Sequence, residues 1–142
     1  MNTRYATVLH IMVVIGSAER GTKTCSRWIA ESLKTNPSLV RRLLRPLREA
    51  GLVETEEGRE GGVWLSRDAR KISLLEIYDA TEQGPLLGIN PKQVNPGCPV
   101  SKGVKPAVDA VYGEVEEQVR RTLRRRTLAD LLISVQAESV SA

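Results

Sequence analysis

Few side chains in this 142-residue chain are equipped for covalent or acid–base chemistry. It holds one histidine, His10, and two cysteines, Cys25 and Cys98. A catalytic triad or a histidine metal site needs partners that a single imidazole lacks. No glycine-rich phosphate loop is present either, so the chain does not read as an enzyme. Two cysteines cannot build the multi-bridge framework of a small secreted domain, which makes a reducing cytoplasm the default expectation. What stands out is a ladder of guanidinium groups at Arg41, Arg42, Arg45 and Arg48. Arginine stays charged and grips phosphate oxygens or a guanine edge with two parallel hydrogen bonds.

Steps of three and four put such residues on one helix face. With Arg41 at zero on a wheel of about 100° per residue, Arg45 falls near 40° and Arg48 near −20°. Ser38 lies near about 60° and Arg42 near about 100° on the same wheel. Val40, Leu43, Leu44 and Leu47 occupy the opposite side, between about 200° and 300°. One face therefore docks on a core, and the other carries four arginines with no acid before Glu49.

The surrounding elements position this helix. Residues 4–16 are apolar nearly all round and predict an enclosed first helix, with His10 as a core histidine. Arg4 before it and Gly16-Ser17-Ala18 after it mimic a signal peptide, but a buried helix is the better reading. The stretch Tyr5 to Ala18 is too short to span a membrane. Thr24 is placed to cap a second helix over about 25–34. Asn36 and Pro37 give a cap and a first-turn proline for the third, which Gly51 ends. Pro46 inside it predicts a kink or a loosened hydrogen bond. Residues 52–56 and 63–66 alternate like strands around a glycine-rich turn, forming a hairpin. Ser73 caps a helix over about 74–82, and residues 83–100 are rich in glycine and proline. From Val100 to Leu123 valines recur at steps of three or four, an apolar stripe that suits packing on another chain or spanning the domain. Trp28 and Trp64 are assigned to packing.

Helix, helix, turn, helix and hairpin is the order of a winged helix-turn-helix. The expected fold is mainly α with a small β-hairpin, plus a long C-terminal dimerisation helix. Its parts are a DNA-binding domain over 1–83, a loop over 84–100, a dimerisation and C-terminal helix over 101–136, and a frayed tail over 137–142. Residues 1–72 hold thirteen basic and eight acidic residues, a net charge of +5, while residues 73–142 carry −1. The positive charge is thus confined to the expected recognition module, which favours double-stranded DNA as partner. Ser38, Arg41, Arg42 and Arg45 are expected in the major groove, Arg48 on the backbone, and Arg59 at the hairpin tip in a flanking minor groove.

The stretch Leu47-Arg48-Glu49-Ala50-Gly51-Leu52-Val53, followed by Gly58-Arg59-Glu60-Gly61-Gly62-Val63-Trp64-Leu65, resembles a specific bacterial repressor family. It is the Rrf-type winged-helix family of the iron–sulfur-cluster regulator, the nitric-oxide-sensing repressor and the cysteine-metabolism repressor. The likeness continues through Ile72-Ser73-Leu74-Leu75-Glu76-Ile77 and Thr127-Leu128-Ala129-Asp130-Leu131-Leu132. It implies a homodimer that binds a palindromic operator, usually as a repressor, with the long helix crossing between subunits. Many relatives hold an iron–sulfur cluster on three clustered cysteines. Here only Cys98 lies in that region, so no such cofactor is expected and the segment 88–100 resembles a cluster-free branch. Cys98 sits before the long helix near Lys102 and Lys105, surroundings that favour a reactive thiol. It is the candidate sensor of an oxidant or electrophile, or else a small half-buried residue in a tight turn; Cys25, beside Lys23 and Arg27, reads more as packing. The rival from another class is a winged-helix protein-interaction module that does not bind DNA. The arginines from 120 to 126 read as a solvated face paired with Glu114, Glu116 and Glu117.

Overall fold

The computed structural model describes residues 3–88 and 94–141. Residues 89–93 of the expected loop lie outside the described residues, as does Ala142. The order is α1 (Arg4–Ser17), α2 (Ser26–Leu33), α3 (Pro37–Glu49), β1 (Val53–Glu56), β2 (Gly62–Leu65), α4 (Leu74–Thr81), α5 (Pro99–Arg125) and α6 (Leu128–Ser141). A single 3-10 turn, Ala69–Lys71, precedes α4. The fold is mainly helical with one antiparallel hairpin, in which Val53 faces Leu65 and Glu56 faces Gly62.

Local chemistry explains most boundaries. Asn36 Oδ1 accepts from the Leu39 amide at 2.9 Å, and Pro37 opens α3 where its missing N–H costs nothing. Pro46 cannot donate to the Arg42 carbonyl, yet α3 runs on to Glu49. Gly51 stops it at φ 75°, a left-handed conformation that favours glycine. Ser73 and Glu76 form a reciprocal capping box at α4. Thr127 and Asp130 do the same at α6, the two amide contacts being 2.9 and 3.1 Å. Thr24 is not the cap of α2: Cys25 takes that position, without a side-chain hydrogen bond, because the Thr24 backbone is paired with Val63.

The chain separates into two compact units, residues 1–82 with 123–142, and residues 83–122. The first unit holds the hydrophobic core. Val8, Ile11, Met12 and Ile15 of α1 are buried against Ile29 of α2, the aliphatic side of α3, and Leu128 of α6. Two backbone ties close it. The Thr24 and Val63 amides and carbonyls exchange bonds of 2.8 and 2.9 Å, fixing the α1–α2 loop to the hairpin. Leu74 N donates to Arg126 O and Leu128 N to Ile72 O, joining the start of α4 to the start of α6.

The second unit contains most of α5, in which no residue is buried. Val100, Val104, Val108, Val111 and Val115 are 38–71% exposed, so the expected stripe is present and uncovered within the chain. Before it, Asn95 Oδ1 accepts from Gly97 N, and Cys98 N donates to Asn95 O, a tight turn leading into the helix.

Three expectations need correction. His10 is exposed on α1 and meets Ser32 Oγ at 3.0 Å, so it is a surface residue. Trp28 is 71% exposed, because Ile29, Ala30 and Leu33 take the inward side of α2 and leave the indole outside. The tail is not frayed where described: α6 continues to Ser141, and the Ser139 and Ser141 hydroxyls donate to Val135 and Ala137 carbonyls one turn back.

Candidate nucleic-acid interface

The aliphatic residues of α3 anchor its polar face. Val40, Leu43, Leu44 and Leu47 are buried, while Ser38, Arg41, Arg42, Arg45 and Arg48 are all exposed. The arginines are not equivalent. Arg45 Nε donates to Glu49 Oε1 at 3.1 Å, one turn along the helix. Arg48 Nη1 donates to Thr55 Oγ1 at 3.3 Å, which ties the helix to β1. The side chains of Arg41 and Arg42 make no hydrogen bond or ion pair with another described residue. They remain able to bind an external acceptor.

Facing α3 is the hairpin, or wing. Its turn comes close enough to fold back only because Gly61 lacks a side chain: an added Cβ would strike the Glu56 carbonyl. At Gly62 an added Cβ would lie 2.9 Å from the Thr24 carbonyl oxygen. Lys23 ion-pairs with Glu56 and lies 5.7 Å from the Trp64 ring centroid. Trp64 Nε1 donates to Glu54 at 2.9 Å. Trp64 is thus half-buried and supports the wing, in line with its packing assignment.

Between helix and wing lies a cleft of about 530 Å³. It is lined by Arg41, Leu44, Arg45 and Arg48 of α3, by Thr55–Gly58 and Gly61–Val63 of the wing, and by Cys25, Ser26 and Arg27 at the start of α2. The structure therefore brings Arg41, Arg45 and Arg48 together. Ser38, Arg42 and Arg59 are exposed outside the lining, Arg59 at the wing tip beside Gly58 at φ 103°. Arg27 and Ser26 were not singled out from the sequence for this site. Their signal was available in the charge and hydroxyl at the opening turn of α2.

Both cysteines are free thiols; Cys25 is exposed and Cys98 half-buried. Among the described residues no group of three or more His, Cys, Asp or Glu side chains is placed to hold a metal ion. Also among them, no helix is long and apolar enough to cross a membrane.

A family profile described as Rrf2, an iron-dependent transcriptional regulator, matches residues 1–134. The chain belongs to the Rrf2 family. It is 34% identical over 132 residues to YwnA of Bacillus subtilis, described as an HTH-type transcriptional regulator, covering 93% of this chain and 96% of that one. A solved structure described as a DNA-binding protein is 34% identical, with a TM-score of 0.71 over 91% of this chain and 98% of its own. CymR of Staphylococcus aureus is 25% identical, with a TM-score of 0.70 over 92% of this chain and 96% of its own. As an Rrf2 protein the chain is a winged-helix, DNA-binding transcription regulator and not an enzyme.

Proposed function

We propose that this regulator is a homodimeric repressor that reads a palindromic operator with α3. The observation that carries the reading is the convergence of Arg41, Arg45 and Arg48 on one cleft between α3 and the wing. A helix with unpaired guanidinium groups fits the major groove, where such groups bind guanine edges or phosphates. Arg41 and Arg42 read bases together with Ser38 and Arg45. Arg48, held by Thr55, contacts the backbone, and Arg59 enters the flanking minor groove. The uncovered valine stripe of α5 is the dimer contact, and the protein works in the cytoplasm.

The family description includes iron, and the residues of this chain do not fit an iron–sulfur cluster. Conventional clusters are held by four cysteine thiolates, whereas the segment before α5 offers Cys98 alone and Cys25 lies at the start of α2. The chain is accordingly read as cofactor-free. Cys98 is the sensor: a peroxide oxygen transfers to its sulfur, giving a sulfenic acid and water or an alcohol, and DNA affinity shifts. Its half-buried position immediately before α5 supports this reading.

The test uses a duplex enriched by the protein from a random-sequence pool. Binding should weaken steeply with salt, and Arg41→Ala should remove the preference over a scrambled duplex. Absence of any salt-dependent binding favours a protein-interaction module instead. For the sensor, Cys98→Ser should abolish the response of duplex binding to peroxide; an unchanged response discards it.

A further inference from the structure

We propose that Arg27 holds a phosphate of the DNA strand that borders the major groove. The proposal rests on the reading of this cleft as the DNA site. Arg27 is the second residue of α2 and lines the same cleft as Arg41, Arg45 and Arg48. Its side chain is exposed and makes no hydrogen bond or ion pair with another described residue, Glu31 one turn along included. Its guanidinium is therefore uncommitted.

The charge around it points to an anion. The lining residues include two carboxylates, Glu56 and Glu57, both on the wing side, and Glu56 is neutralised by Lys23. The residues that α2 contributes to the lining include no acid, so positive charge dominates there. Position separates phosphate from base. α3 is the element that enters a groove, and its side chains in the cleft meet base edges. Arg27 stands instead on α2, the helix that crosses the sugar–phosphate backbone in a helix-turn-helix.

The experiment titrates the full chain with the enriched duplex and with a scrambled duplex across a series of KCl concentrations. Wild type, Arg27→Ala, Arg27→Lys and Arg41→Ala are compared, with far-UV circular dichroism to confirm folding. Arg27→Ala should weaken both duplexes by the same factor. It should also lower the slope of log K against log salt by about 1 per bound protomer. Arg27→Lys should restore most of the slope, since a phosphate contact needs charge more than the planar fork. An unchanged slope in Arg27→Ala, with Arg41→Ala still weakening the enriched duplex, overturns the assignment of Arg27 alone. A loss confined to the enriched duplex makes Arg27 a base reader and also overturns it. Wild type that binds neither duplex removes the DNA reading and this assignment with it.

Discussion

At the scale of single residues, the structure separates side chains that are committed from those that are available. Arg45 and Arg48 are held by Glu49 and Thr55, whereas Arg41 and Arg42 are not held within the described chain. Lys34 shows another kind of commitment. It closes α2 at φ 53°, ψ 48°, the one non-glycine residue at positive φ among those described. A left-handed conformation costs a side-chain-bearing residue about 1–2 kcal/mol, partly offset because glycine loses more entropy on folding. Lys34→Gly should therefore raise stability by about 0.5–1 kcal/mol, seen as a higher urea midpoint at constant slope. The arginine ladder was legible in the sequence because apolar and basic residues of α3 alternate at helical period. Trp28 and His10 were not, because apolar character says nothing about whether a neighbour exists to cover a given side of a helix. Ile29, Ala30 and Leu33 take the inward side of α2, so the larger indole stays outside.

At the scale of elements, boundaries were the legible part, since they are set by short-range chemistry. Asn36, Pro37, Gly51 and Ser73 act where the sequence placed them. The capping box at α4 does more than end a helix, because Glu76 also accepts from Arg67 at 2.7 Å. Ser73→Ala removes the acceptor of the Glu76 amide and should cost about 1 kcal/mol in chemical denaturation. What the sequence did not show was the docking of α6. Its apolar residues looked like a continuation of the assembly arm, yet Leu128 is fully buried in the recognition unit. The reason is long-range: the tie between residues 72–74 and 126–128 forms only once distant segments meet. Leu128→Ala should lower stability by about 2–5 kcal/mol, as expected for a leucine removed from a packed core.

At the scale of the whole molecule, the charge asymmetry read from the sequence now has an address, the cleft between α3 and the wing. The stripe on α5 has none within the chain. Monomeric proteins rarely leave a row of large apolar side chains in water without a partner. Val111→Glu should therefore convert a dimer into a monomer in sedimentation or light scattering. It should also weaken binding to the two-half-site duplex far more than to a single half-site. The division of the chain carries one more consequence. The recognition unit is built from residues 1–82 and 123–142, with the arm inserted between them. Gly16 lies against Leu132, where an added Cβ would come within 3.0 Å of its Cδ1, so the last helix fits closely on the first. During synthesis on a ribosome, α1 therefore emerges well before α6 and waits for it. A nascent chain halted after the arm would expose the α1 surface that α6 covers, which makes late-stalled products natural clients of chaperones and proteases.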